Sequence, residues 1–352
     1  EWLDSCVSTH ENCHSLSEEP ALPTRVLDVG TTGDATDLRL LLSKGLQGRY
    51  AAASFCWGKI GILRTTQAVL NALVVRIPLE QLSQTFIDFI TITRELGLRY
   101  IWIDALCIVQ DSYEDWEKEA ALLPHYFQNS FVNIVAASAS DASQGFLASR
   151  SSSPLFTFHV HIPGDPRGGV LHLRKYLGLQ DPVSAEPISS RGWVFQEQLL
   201  SPRNLYYTSR EMTWECQQTA HRESFDASVS SYSPRLEIKK FIGEINTKTG
   251  NEADGPQEQE ILDLWDSLVT MYSDKKVTYA PDRLLALESL ARVFHKVLQD
   301  DYMAGMWRSG FPESMAWYRS GIHDSSKETH HIYIAPSWSW ASDFGSTAYF
   351  FT

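Results

Sequence analysis

Three observations in the sequence predict an open α/β sheet. The run Arg49 to Gly58 is short, mostly apolar and ends in glycine, so it reads as a buried strand feeding a loop. Pro78 to Leu96 carries helical period and passes through Gly97 into Leu98 to Asp104, a β-branched and aromatic strand that ends in an acid. Arg191 to Arg203 reads as a helix with one carboxylate, Glu197, beside a tryptophan and between two arginines. Helix, glycine break and apolar strand in succession are the pattern of a parallel layer.

The totals bound the reading. With 352 residues, 43% of them hydrophobic, the chain can bury a large core, and length alone suggests about two domains or one elaborated domain. Net charge is −13 with no long basic run, which argues against nucleic acid or an anionic membrane as a partner. No apolar run reaches the ~18 residues of a membrane span, and no secretory signal stands at the start of the sequence. The 5 cysteines are an odd number, and Cys56 and Cys107 lie inside apolar runs. That mixture reads as a reducing, cytoplasmic setting rather than a disulfide framework.

In chain order, residues 1–30 read as an N-terminal helical segment. Cys6 and His10 share a helical face and Cys13 follows, a spacing that can supply three corners of a zinc tetrahedron. Cys216 is the cysteine available as the fourth. The alternative is a terminal helix with incidental Cys and His. Pro23 to Val29 reads as extended. Residues 31–220 form the α/β core. Within it, Leu79, Leu82, Phe86, Phe89, Ile90 and Thr93 mark a helix, and Asp115 to Asn129 a second one that Pro124 should kink or shorten. Phe131 to Ala137 is the next buried strand, and Ser138 to Ser153 a loop. The alternation of Phe156, Phe158, Val160 and Ile162, with Val170 to Leu173, predicts a small antiparallel insertion. Asn204 to Thr208 and Glu211 to Cys216 read as strands joined by a Ser-Arg turn. Residues 221–258 are polar and read as a loop. Residues 259–352 read as a helical extension packed on the core, with an aromatic tail at Tyr302 to Trp307 and Met315 to Tyr318, and a closing segment around Trp338 and Trp340.

Candidate site residues cluster at strand ends and on the acid-bearing helix. Ser54, Cys56, Trp57 and Gly58 close the first core strand, the edge where open α/β sheets bind ligands. Trp57 reads equally as a lid over the core. Asp104 and Asp111 can hold a ribose hydroxyl or a metal, or cap the next helix. Trp193 and Glu197, four apart, share a helical face that can hold a flat charged ligand; a buried helix whose Glu197 caps a turn or pairs with Arg203 is the plainer reading. No Gly-x-Gly-x-x-Gly, Gly-x-x-x-x-Gly-Lys-Ser/Thr, Gly-x-Ser-x-Gly or His-Glu-x-x-His occurs. Dinucleotide-dependent dehydrogenases, P-loop NTPases, α/β-hydrolases and HExxH-type proteases are thereby poorly supported. A carboxylate-centred site remains, suited to an oxocarbenium-like transition state such as that of N-glycosidic cleavage.

Three blocks carry a family resemblance: Tyr50-Ala-Ala-Ala-Ser-Phe-Cys-Trp-Gly58, Tyr100-Ile-Trp-Ile-Asp-Ala-Leu-Cys-Ile-Val-Gln-Asp111, and Arg191-Gly-Trp-Val-Phe-Gln-Glu197 through Ser201-Pro-Arg203. In this order they resemble the fungal heterokaryon incompatibility (HET) domain. Phe55 stands where that family usually has Tyr, and Val109 where it usually has Asn. The family is remotely similar to Toll/interleukin-receptor (TIR) domains, and Trp193-x-x-x-Glu197 is similar to the TIR helix whose Glu is catalytic in NAD-cleaving members. The resemblance implies a flavodoxin-like core, a role in non-self recognition and programmed cell death, self-association into a homo-oligomer, and NAD as a substrate with no cofactor required. It places Glu197 as catalytic carboxylate. On the substrate side it places Ser54, Cys56, Trp57, Gly58, Asp104, Cys107, Asp111, Arg191, Trp193 and Arg203, with the arginines near phosphates. Two alternatives stay open. One is a non-catalytic signalling module that acts with a protein partner. The other is a HET scaffold recruited to small-molecule biosynthesis.

Overall fold

The computed structural model of the chain describes residues 1–14, 19–31, 38–59, 61–148, 150, 156–162, 165–173, 181–224, 234–247, 257–320, 333–343 and 345–349. Two short helices, α1 (Trp2–Thr9) and α2 (Glu11–His14), precede β1 (Arg25–Asp28), β2 (Arg39–Leu42) and β3 (Tyr50–Ser54). Then come α3 (Leu70–Val75), α4 (Gln84–Glu95), β4 (Tyr100–Trp102), α5 (Asp104–Cys107), α6 (Tyr113–Gln128) and β5 (Val132–Val135). A hairpin of β6 (Phe156–Ile162) and β7 (Asp165–Leu173) leads to α7 (Gly192–Leu200), β8 (Arg203–Tyr207), β9 (Met212–Cys216) and β10 (Ala220–Arg222). Three helices follow, α8 (Pro234–Thr247), α9 (Glu258–Tyr272) and α10 (Asp282–Leu298), and then four short strands, β11 (Tyr302–Met303), β12 (Met306–Trp307), β13 (Trp317–Arg319) and β14 (Thr347–Tyr349).

The main sheet has 8 strands in the order β10-β9-β8-β5-β3-β4-β1-β2. Its centre, β8-β5-β3-β4, is parallel, while β1, β2, β9 and β10 extend both edges antiparallel. The open α/β class predicted from sequence is the one observed. β3 and β5 are buried at every residue, so they read as near-continuous apolar runs rather than alternating ones. From β3 the chain crosses to β4 on one side and then returns to β5 on the other. β3 and β5 therefore flank a topological switch point, and the crevice outside their C-terminal ends is the natural ligand position.

Some local expectations are corrected. The segment 221–258, expected as a polar loop, contains β10 and the 14-residue helix α8; residues 225–233 and 248–256 lie outside the described ones. Tyr302 to Trp307 is a hairpin, not helix. Ala304 and Gly305 both take positive φ there (49° and 97°), the signature of a tight two-residue turn. Met315 to Tyr318 is a turn of 3₁₀ helix passing into β13. Pro124 does not end α6, which runs its full 16 residues through it. The insertion is the expected antiparallel hairpin, and it leaves Phe156, Phe158, Val160 and Val170 exposed. Trp338 is exposed, whereas Trp340 is fully buried, with its indole donating to the Gly305 carbonyl (3.0 Å).

Candidate active site

Strand register builds the site. In β3, Ala52 and Ser54 share one face; Ala52 pairs with Asn133 of β5, which pairs with Asn204 of β8, which pairs with Glu215 of β9. Side chains in one such row project to one face, so Ser54, Asn133, Asn204 and Glu215 form a polar stripe across it. Helix α7 lies on this face. Ser54 Oγ donates to Glu197 Oε2 at 2.5 Å, and Asn133 Oδ1 lies 3.2 Å from the same hydroxyl. Asn133 Nδ2 donates to Asn204 Oδ1 (3.1 Å), and Asn204 Nδ2 donates to the Gln198 carbonyl (2.7 Å). Helix α7 is thus pinned to the sheet at Glu197, through the last residue of β3, and at Gln198.

On the neighbouring strand end, Asp104 opens α5. Its Oδ1 accepts from the Ala105 amide (2.6 Å) and its Oδ2 from the Trp57 indole (2.8 Å). The acid therefore bonds the amide of the residue after it and orients the tryptophan that follows β3. Gly58 then turns the chain at φ 76°, and a Cβ there would sit 1.7 Å from Asp141 Oδ2, so only glycine fits this turn.

Electrostatics separate these groups from ordinary surface acids. Burial pushes the Glu197 carboxyl up to about 7; the Ser54 hydrogen bond and Arg191 oppose the rise, and the Asp104 charge adds to it. Burial also raises Asp104, against the pull of the Trp57 indole, Arg191 and the Ala105 amide. The Cys56 thiol is raised by burial and drawn back by Arg191. Arg191 is thus the cation that Glu197, Asp104 and Cys56 all sense. A buried carboxyl poised near 7, with a second acid and a cation close by, is the arrangement that active sites use.

The remaining candidates fall elsewhere. The Trp193 indole points to Asp282 Oδ2 (3.3 Å) at the start of α10, so it ties α7 to the C-terminal extension. Cys107 is fully buried, with its thiol pushed up to about 12 by burial. Asp111 is exposed and accepts from the Gln67 amide (2.8 Å), joining two loops. Arg203 bonds neither Glu197 nor the groups around it. It is buried on the opposite face, donating to Cys6 Sγ (3.3 Å), the Cys13 carbonyl (2.7 Å) and the Phe131 carbonyl (3.2 Å). Cys6, His10, Cys13 and Cys216 are brought together: their ligand atoms lie within 4.8 Å of one another and all four residues are buried. A cavity of about 560 Å³ opens at the other end of the parallel strands, by Gly48, Arg49, Tyr100 and Phe131. That is the edge where open α/β sheets do not place their chemistry.

Two further buried polar residues near Glu197 carried a weaker signal in the sequence. Asn133 interrupts an apolar strand, and a buried amide in such a run must be bonded. Lys239 sits in a stretch that reads as polar loop, yet it is fully buried. It donates to the Gln198 carbonyl (2.6 Å) and faces Glu215 (3.6 Å), and burial pulls its ammonium down to about 8. Its meaning depends on a contact 41 residues away.

Fold and site together define an open α/β sheet with a carboxylate held at the C-terminal end of β3, beside its switch point. Residues 50–197, from the first residue of β3 to the carboxylate itself, match the family model described as Heterokaryon incompatibility protein (HET). Over this segment the chain is similar to the heterokaryon incompatibility domain family. Searches of curated proteins and of solved structures gave no significant match.

Proposed function

We propose that the protein cleaves the N-glycosidic bond of NAD, with Glu197 as the catalytic carboxylate, as part of incompatibility signalling. The supporting observation is the placement of Glu197. Its carboxyl is fixed by Ser54 at the C-terminal end of β3, beside Asp104, Trp57 and Arg191, and is buried enough to titrate near 7. In its ionised form it steadies the positive charge that develops on the ribose as nicotinamide departs and water bonds to the ribose C1′ in its place, releasing a proton. Asp104 offers an acceptor for ribose hydroxyls, the Trp57 ring a stacking surface, and Arg191 a cation for the diphosphate. The resemblance of Trp193-x-x-x-Glu197 to the TIR helix supports the same assignment. Self-association would use the exposed apolar face of the β6–β7 hairpin.

The test is NAD loss and nicotinamide release by the full chain at high protein concentration, beside Glu197→Gln. Wild type should turn over, and the variant should lose at least about 10²-fold of the rate. Equal turnover by a folded variant would remove Glu197 from the chemistry. A second reading, a non-catalytic module, is favoured by one observation: Glu197 and Asp104 each already have a partner within the protein. It predicts no nicotinamide release, and a cell-death response that survives Glu197→Gln.

A further inference from the structure

We propose that Cys6, His10, Cys13 and Cys216 bind one structural zinc ion that fastens α1 and α2 to the end of β9. The ligands come from distant parts of the chain. Cys6 lies in α1, His10 caps it, Cys13 lies in α2, and Cys216 is the last residue of β9. Their ligand atoms lie within 4.8 Å of one another, and His10 Nδ1 is 3.3 Å from Cys216 Sγ. A tetrahedral zinc with Zn–S of ~2.3 Å and Zn–N of ~2.0–2.1 Å needs ligand edges of roughly 3.5–3.8 Å, which a small contraction of this cluster reaches. All three sulfurs are free thiols, not disulfides.

The surroundings are those of a metal-bound thiolate cluster rather than of three packed thiols. Three thiolates, a neutral imidazole and Zn²⁺ leave one negative charge. The buried Arg203 guanidinium supplies the matching positive charge. Arg203 pairs with Cys216 across the β8–β9 ladder and directs its Nε at Cys6 Sγ. Its other nitrogens bond the Cys13 and Phe131 carbonyls, so its orientation is locked. The Thr219 amide also points at Cys216 Sγ (3.4 Å), the kind of outer hydrogen bond that holds and tunes metal ligands. Four protein ligands leave no open position, so the role is structural and not catalytic. Strand alternation puts Arg203 and Cys216 on the face opposite Asn204 and Glu215, which separates this cluster from Glu197.

The experiment measures metal in the full chain purified under reducing conditions, by elemental analysis, and the spectrum after exchange with cobalt(II). One zinc per chain and a thiolate-to-cobalt charge-transfer band with tetrahedral ligand-field bands are expected. Cys216→Ser should lower zinc content at least about tenfold, whereas Cys56→Ser should retain full content. His10→Cys should keep the metal and move the cobalt bands toward those of a four-thiolate site, which answers the case in which Cys216→Ser fails to fold. Wild-type protein that is folded, metal-free and gives no charge-transfer band with cobalt would overturn the proposal. So would a cobalt spectrum unchanged by His10→Cys.

Discussion

Glu197 is held by a neutral donor, the Ser54 hydroxyl, in a position where burial works against its charge. An ionised carboxylate is required for the proposed reaction, so kcat/KM should rise about tenfold per pH unit up to about 7 and then level. Removing the donor sharpens this. A hydrogen bond to a charged group is worth about 1.5–3 kcal/mol, equivalent to roughly one to two pH units. Ser54→Ala should therefore move the midpoint upward by at least about one unit, costing about tenfold at pH 6 and little at pH 9. A uniform loss across pH would instead mean that Ser54 only shapes the crevice. Ser54, Trp57, Asp104 and Glu197 were legible because each stands at the end of an apolar run or on a helix face, where local sequence fixes position. Arg203 was not. Its proximity to Glu197 along the chain suggested a shared site, but the strand's alternation sends it to the other face, to partners 190 or more residues away.

Elements with a strong period, such as α4 and α9, were legible because burial imposes the period directly. In α9 the buried stripe Ile261, Trp265, Leu268 and Tyr272 leaves Asp266 half-buried beside it. Burial, with the Asp263 charge three residues earlier, pushes the Asp266 carboxyl up to about 7. The folded state then binds this proton more tightly than the unfolded chain does. The associated stability is full below about pH 4 and is lost as pH rises through about 7. Asp266→Asn, neutral throughout, should match wild type near pH 4 and exceed it at pH 8 by about 1–2 kcal/mol once partial solvent screening is allowed for. Thermal melts of both proteins across this range decide it; a gap independent of pH would show that packing, not charge, is at stake. Elements without a clean period were misread for a physical reason. In α8 the buried face includes Lys239, whose ammonium faces the Glu215 carboxylate and donates to the Gln198 carbonyl, so a core position carried a surface residue type. In the β11–β12 hairpin, six residues are too few for period to tell strand from helix. The usable signal was Gly305, whose Cβ position is filled by the Trp340 indole 2.7 Å away.

At the scale of the whole molecule, the segment that matches the family model ends at Glu197, yet the helix bearing it is completed by residues far beyond. The Gly192 amide donates to the Lys276 carbonyl (2.8 Å), and the Lys276 amide to the Ser190 carbonyl (2.6 Å), so the start of α7 is stitched to the turn after α9. Phe195 packs on Tyr272 (5.7 Å between rings) and the Trp193 indole reaches Asp282. None of this was visible in the sequence, because each contact joins residues some 75 to 90 apart. A chain ended after residue 224 would expose Phe195 and the Trp193 ring and leave the Lys276 strap missing. Uncovering two large apolar side chains costs about 3–6 kcal/mol, comparable with the ~5–15 kcal/mol by which a domain is stable. The truncated chain is expected to bind a hydrophobic dye, to be cut by protease at least about tenfold faster than the full chain, and to release no nicotinamide. Restoring residues 257–349 as a separate polypeptide should recover protease resistance if docking on α7 is what matters. A truncated chain that melts cooperatively at the full-length temperature would show instead that the sheet and α7 stand without the extension.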